Sequence, residues 1–292
     1  MKILGRNVTY YELLPPILVG GFREFKRFIS QGKRTADYAE HVTDRSLRKS
    51  FIHSIFGTYT GFDHEDLLID ILLKFQKKGF YIDIGSNDPN IFPSNTTRFY
   101  LKGWRGINIE PQSEAYQGLL KAREKDLNLN ICLGKTKKLM NFYELEDRSN
   151  GSSLNINMAK MNRLKGKKII SKQIETVPLK EVFKKYLHNH DVDLMSIDVE
   201  GYELEVLMGN DWKRFRPKVI IVETLHFNHT QIVKYLDKMG YLLVYNGDVN
   251  SIFIDKRKFT KNSGLNPDIA RMWFKDEEKV PAPIGKSPKK SK

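Results

Sequence analysis

Residues 80–89 read Phe-Tyr-Ile-Asp-Ile-Gly-Ser-Asn-Asp-Pro (FYIDIGSNDP). An apolar, β-rich run breaks into glycine and small polar residues, the pattern of a buried strand that ends in a tight turn. Outward from this stretch the pattern repeats. Apolar runs stand at 80–84 (FYIDI), 105–110 (RGINIE), 128–133 (NLNICL), 192–198 (VDLMSID) and 218–223 (KVIIVE). Helical patterns occupy about 95–102, 112–125, 178–187, 201–208 and 228–239. Continuous apolar strands alternating with helices predict a mostly parallel sheet covered on both faces. The end departs from this: Tyr241–Tyr245, the turn Asn246-Gly247-Asp248 and Ser251–Asp255 predict an antiparallel hairpin at the far edge.

Upstream, Leu67, Leu68, Ile71, Leu72 and Phe75 recur at helical spacing, which predicts an amphipathic helix ended by Gly79. The chain therefore divides into an N-terminal helical cap over 1–60, an α/β core over 61–258 and a C-terminal segment over 259–292. Within the core, 139–177 reads as irregular and is expected to be a variable substrate or lid region. From about residue 276 the tail has almost nothing to bury and is expected to be disordered. The 292 residues, 40% hydrophobic and 29% charged, suffice for a sizeable core. Cys132 is the only cysteine, which excludes a disulfide framework and a thiolate metal cluster. The first long apolar run, Leu13–Phe22, is too short for a membrane span and is broken by Pro15-Pro16 and Gly20-Gly21, so a cytoplasmic location is expected.

In an open parallel sheet, ligands bind beyond the carboxyl ends of the strands. The residues leaving each strand are therefore the candidates. The first exit carries Asp83, Gly85, Ser86 and Asn87, a turn where backbone can approach a ligand closely. It has neither the glycine set of a pyrophosphate loop nor a helix-starting Lys-Ser/Thr. The second exit is Glu110-Pro111, an acid at the place where nucleotide-binding α/β folds accept bonds from both ribose hydroxyls. Two further exits carry Asp198 and Glu200, then Glu223 and His226. These four could converge over adjacent strands as a general base, a divalent-cation site or both. Glu203 and Glu205 read instead as a solvated helix face.

Several segments together resemble one family. They are Phe80–Pro89, Ser94-Asn95-Thr96, Tyr100–Glu110 (YLKGWRGINIE), Asp193–Gly209 (DLMSIDVEGYELEVLMG) and Asp211–Glu223 (DWKRFRPKVIIVE). Over about residues 58–255 the chain is similar to the FkbM-type S-adenosylmethionine-dependent methyltransferases. The ending Asp88-Pro89 departs from the small-residue-Gly ending commoner in that loop. The resemblance implies a Rossmann-like class I methyltransferase sheet of seven mostly parallel strands with the last antiparallel. It implies that Asp83, Gly85, Ser86 and Asn87 surround the cofactor's methionine portion, and that Glu110-Pro111 holds the ribose. It places the adenine near Cys132-Leu133-Gly134. Ser152 and Ser153 match a serine-rich loop that closes over cofactor or substrate.

The implied reaction is S-adenosylmethionine-dependent O-methylation of a sugar, glycan or glycosylated metabolite. Asp198 is then the leading catalytic carboxylate, with Glu200 and His226 as helpers, and Asp198 with Glu223 as ligands for a divalent cation. The rival readings are an RNA methyltransferase and a non-catalytic cofactor-binding module. The net charge of +14 prompts the first of these. Ten of those charges, however, lie in the runs 160–172 and 281–292. The first run lacks interleaved aromatics for base stacking, so nucleic acid is not the expected partner. A basic surface also suits peripheral contact with an anionic or membrane-associated acceptor.

Overall fold

The computed structural model describes residues 2–3, 6–7, 65–91, 94–146, 151–163, 167–187, 190–225, 228–247 and 249–258. In chain order, Lys2–Ile3 (β1) and Arg6–Asn7 (β2) form a short antiparallel pair. The core runs Glu65–Leu72 (α1), Phe80–Ile84 (β3), Thr97–Leu101 (α2), Arg105–Ile109 (β4), Ser113–Ala122 (α3) and Leu127–Leu129 (β5). It continues through Cys132–Gly134 (β6), Lys138–Leu145 (β7), Ile156–Asn162 (α4), Ile169–Pro178 (β8) and Leu179–Tyr186 (α5). Leu194–Ile197 (β9), Glu203–Met208 (α6), Val219–Glu223 (β10), His229–Lys238 (α7), Tyr241–Asn246 (β11) and Asn250–Asp255 (β12) complete it. The rest of the expected N-terminal cap and the expected disordered tail lie outside the described residues, as do Lys165 and His226. None of the described helices is long and apolar enough to cross a membrane.

Seven strands form one sheet in the order β11-β12-β10-β9-β3-β4-β5. Strands β5, β4, β3, β9 and β10 pair in parallel, whereas β12 is antiparallel to both β10 and β11. The terminal hairpin therefore returns inward: β11 takes the edge and β12 fills the place beside β10. Period-2 alternation sends successive residues of a strand to opposite faces. Ile220 and Val222 accordingly join α5, α6 and α7 in one core, with Phe183, Leu207 and Ile232. Val219 and Ile221 join α1 and Trp104 in the other. Burying each such side chain contributes roughly 1.5–3 kcal/mol, which is why these β-branched runs settle at the centre of the sheet.

Three expectations are corrected. The helix expected to reach Gly79 stops at Leu72, and Lys74 and Phe75 turn left-handed at φ 54° each. Asp70 fixes that stop: its carbonyl accepts from the Phe75 amide at 2.7 Å, while Arg98 and Lys102 grip its carboxylate. The run expected as one strand at 128–133 divides at Asn130 into β5 and β6, which belong to different sheets. The segment read as irregular, 139–177, instead carries most of β7 and β8 with α4 between them; β7 and β8, paired antiparallel from Lys138↔Thr176 to Leu145↔Ile169, join β6 in a three-stranded sheet of order β6-β8-β7. Within its basic run, Lys172 is not a solvated loop charge: its ammonium bonds Glu144 at 2.5 Å and lies over the Phe142 ring.

Candidate active site

The chain spreads from β3 outward to β5, then returns to pair β9 on the other side of β3. Such a reversal opens a crevice at the carboxyl ends of the strands. Here the crevice is a cavity of about 380 Å³, floored by the ends of β3, β4, β9 and β10. That volume lies in the range of small-ligand sites. The second sheet supplies one wall through Cys132, Leu133 and Phe142, and the hairpin supplies Val249 and Asn250.

At the first exit, Gly85 adopts φ +77°, and its amide donates to the Ile109 carbonyl at 2.9 Å. A Cβ at this position would lie 1.7 Å from the Asp198 carbonyl oxygen, so only glycine lets the β3 and β9 exits come this close. Asn87 is also left-handed, at φ 55°. Its amide donates to Glu110 Oε2 at 2.9 Å, and the Gln112 amide donates to Oε1 at 2.8 Å. A carboxylate offers about four lone-pair sites, so each Glu110 oxygen keeps one for a further donor. Glu110 is thus held rigid with capacity for two more hydroxyls, which fits a ribose. Burial pushes its carboxyl up to about 7, against the pull of the Gln112 and Asn87 amides. Asp83 accepts from the Ser94 hydroxyl at 2.6 Å and the Thr96 hydroxyl at 2.5 Å, both at Oδ2. Burial raises its carboxyl too, while those two hydroxyls and Arg123 act against the rise.

At the other end, oxygens of Asp198, Glu203 and Glu223 all lie within 4.8 Å of one another. Asp198 is exposed by area, but it opens into the concave cavity and its carboxylate is surrounded by protein. Burial, then the fields of Glu200 and Glu203, raise its carboxyl well above the usual range. Glu223 is raised by burial and by Asp198, and the two share a hydrogen bond that favours a proton on Glu223. Two carboxyls this close titrate as a pair. Glu203, nearly fully buried, reaches back from the first turn of α6 to accept from the amides of Gly201 at 2.9 Å and Val199 at 3.1 Å. Burial moves its carboxyl to about 7.

The structure thus gathers Asp83, Gly85, Ser86, Asn87, Glu110, Pro111, Leu133, Asp198, Glu200 and Glu223 around one cavity. The Ser86 hydroxyl is used inward, donating to the Asp83 carbonyl at 2.8 Å. Ser153 is not among the cavity-lining residues, whereas Ser152 is. The Ser153 hydroxyl instead donates to the Glu200 carbonyl at 2.7 Å, and Asn162 donates to the Glu200 carboxylate at 2.8 Å. Those two bonds hold Glu200 left-handed at φ 56°, a conformation a non-glycine residue keeps only under such restraint. Sequence reasoning missed Glu203, Leu225, Val249 and Asn250. For Glu203 a signal existed: an acid two residues after Gly201, at a helix start, can reach back to free amides.

The family model described as "Methyltransferase FkbM domain" matches residues 83–243. Among solved structures, the chain is similar to methyltransferase FkbM from Methylobacillus flagellatus KT at 11% identity and TM-score 0.39, covering 61% of this chain and 44% of that one. It is also similar to the N-terminal domain of human METTL16, at 12% identity and TM-score 0.38, covering 72% of this chain and 79% of that one. A third is the C-terminal domain of precorrin-6Y C5,15-methyltransferase from Rhodobacter capsulatus, at 11% identity and TM-score 0.34, covering 65% and 85%. The chain spans less than half the length of the first of these. No curated protein sequence matches it.

Proposed function

As a member of the FkbM methyltransferase family, this chain is an S-adenosylmethionine-dependent methyltransferase, and we propose that it methylates a hydroxyl of a sugar, glycan or glycosylated metabolite. The observation that carries this reading is the acid pair Asp198–Glu223 in the same cavity as Glu110 and the Gly85 turn. S-adenosylmethionine supplies an electrophilic methyl group, and what remains for the protein is positioning and proton removal. Glu110 holds the ribose hydroxyls and Asp83 the ammonium. A sugar hydroxyl is a weak acid and needs a base as it attacks. Asp198 takes its proton as the new O–C bond forms and the methyl group leaves sulfur. Glu223, holding the pair's shared proton, donates to Asp198 and keeps its carboxylate oriented.

The same oxygens suit a divalent cation, since three hard carboxylate donors lie close enough to share one. Asp198, Glu203 and Glu223 would hold it, and it would lower the acceptor hydroxyl's pKa. Its signature is a rise in melting temperature on adding Mg²⁺ or Mn²⁺ at pH 8, absent in Glu223→Gln. No rise in the wild type leaves the pair to proton chemistry alone.

Calorimetry with S-adenosylhomocysteine tests the cofactor half. Glu110→Gln replaces an acceptor oxygen with an amide that must face the Asn87 or Gln112 N–H. Affinity is expected to fall roughly tenfold or more, the value of lost charge-assisted bonds. In the wild type, binding should strengthen as pH rises through about 7, because ionised Glu110 accepts both hydroxyls. The variant should lose that dependence. Unchanged affinity and an unchanged pH profile would remove Glu110 from the ribose site.

A further inference from the structure

We propose that Arg123 is a positioning residue for the cofactor's ammonium, acting through the Ser94–Thr96 hydroxyl pair that holds Asp83. This inference rests on the cofactor reading above and assigns a role at a position that carries no cavity-lining atom.

Arg123 follows α3, and only 2% of it is exposed. A guanidinium so placed needs all of its donors matched. Its Nη2 donates to Thr97 Oγ1 at 2.7 Å and lies 3.4 Å from the hydroxyls of both Ser94 and Thr96. Those two hydroxyls spend their protons on Asp83 Oδ2. Because Arg123 offers N–H groups to their oxygens, both hydroxyls turn their hydrogens toward the acid. Neither is then free to accept from a protonated Asp83. The arrangement orients the pair in one direction and leaves Oδ1 of Asp83 for a cationic ligand group.

The other side of the guanidinium is tied to the sheet. Nη1 donates to the Tyr81 hydroxyl at 2.9 Å, Tyr81 in turn bonds Asp126, and Asp126 lies 4.0 Å from Arg123. Asp126 is itself fixed by the Gly106 amide at 3.0 Å and by Asn108 at 3.1 Å. The Tyr100 ring caps the guanidinium plane, its centroid 4.8 Å away. Rigid mounting of this kind gives the cation one place to stand, behind Ser94 and Thr96 and out of contact with the ligand.

The charged and titratable groups that face Asp83 come from every neighbouring element: Tyr81 on its own strand, Glu110 beyond β4, Arg123 and Asp126 after α3, and Asp198 beyond β9. Arg123 is the cation that acts on Asp83 from behind its two hydroxyl partners. Without it Asp83 stays protonated to higher pH, and a neutral acid holds an ammonium poorly. Binding supported by Asp83 is present above its folded pKa and lost as pH falls through it. Removing Arg123 therefore moves that loss upward in pH.

The test is calorimetry of S-adenosylhomocysteine with the full chain across pH 5.5–8.5, alongside thermal melting. Arg123→Met is expected to weaken binding roughly tenfold for each pH unit by which the midpoint rises. The deficit should be largest at the acidic end of that range and should shrink toward its alkaline end. Taking the ratio to wild type cancels the titration of Glu110. Arg123→Lys keeps the cation and should restore most of the affinity at the acidic end. A deficit equal at all pH values, or Arg123→Lys as weak as Arg123→Met, would overturn the proposal in favour of packing alone. Should Arg123→Met fail to fold, Thr97→Val removes the shortest of the Nη2 bonds. It is expected to shift the midpoint upward by less, and no shift overturns the proposal. A wild-type chain that does not bind S-adenosylhomocysteine at any pH defeats the cofactor reading itself, a result separate from any difference among variants.

Discussion

Gly85→Ala is expected to abolish measurable S-adenosylhomocysteine binding and to lower the melting temperature by roughly 5–15 °C. Two obstacles act at once. The backbone stands at φ +77°, where an L side chain costs about 1–2 kcal/mol. The added methyl would also meet the Asp198 carbonyl oxygen at 1.7 Å and its carbon at 2.8 Å. Backbone cannot yield as a flexible side chain does. Relief requires β3 and β9 to part at their ends, where the Asp198 amide bonds the Ile84 carbonyl at 2.9 Å. Parting them displaces the cofactor turn and the acid pair together, so binding and proton transfer fail in the same variant. Calorimetry and melting on the purified chain check this, and near-wild-type affinity would contradict the assignment of the turn.

The second large effect concerns the acid pair. Asp198→Asn is expected to slow methyl transfer about 10²–10⁴-fold, the usual share of a positioned base. S-adenosylhomocysteine affinity should be retained. The assay is incorporation of labelled methyl into whichever saccharide or glycoside fraction the wild type labels. Turnover equal to wild type would reassign the base. The same pair burdens the fold. Burial raises both carboxyls, Glu200 and Glu203 push each further, and the bond between the two keeps a proton on Glu223, so the fold favours the protonated pair. That contribution is complete below the ordinary carboxylate range and is lost as pH rises through the folded values. Glu223→Gln removes the titration yet keeps a donor toward Asp198. It should leave stability at pH 5 nearly unchanged and add about 1–2 kcal/mol at pH 8, a few degrees of melting temperature. Equal melting of the two proteins at pH 8 would show the pair to be solvated. A gain in stability on disarming an active-site acid is the common trade-off.

The main sheet was legible because its strands are buried on both faces. VIIVE at 219–223 and FYIDI at 80–84 are dense in β-branched or aromatic residues and end in turn or acidic residues, so periodicity and punctuation agree. The second sheet was not, because β7 buries only Phe142 and Leu145, and β8 only Thr176 and Pro178. A ribbon so exposed carries little hydrophobic pattern, and its lysines read as a loop. The site was legible wherever an acid stands at the carboxyl end of a strand or directly after it: Asp83, Glu110, Asp198 and Glu223 all line the cavity. What escaped reading depends on distant pairing. Asn250 reaches the cavity from the far hairpin and bonds Glu65, 185 residues away, and no local spacing encodes such a contact. Ser153 was legible as a serine beside the site, but the use of its hydroxyl, on a carbonyl 47 residues later, depends on the folded chain.

The clasp on Glu200 has a consequence for how such enzymes diverge. Ser153 and Asn162, borne beside the small sheet, set the backbone of the acidic turn at 198–201. Met158 also packs beneath Gly201, whose missing side chain would collide with it at 2.6 Å. Residues 151–162 and 198–203 therefore form one inheritable cassette. A chimera that imports the small sheet from a relative without the matching turn would inherit a mis-set acid at 198–201. The two segments should accordingly be functional only when exchanged together.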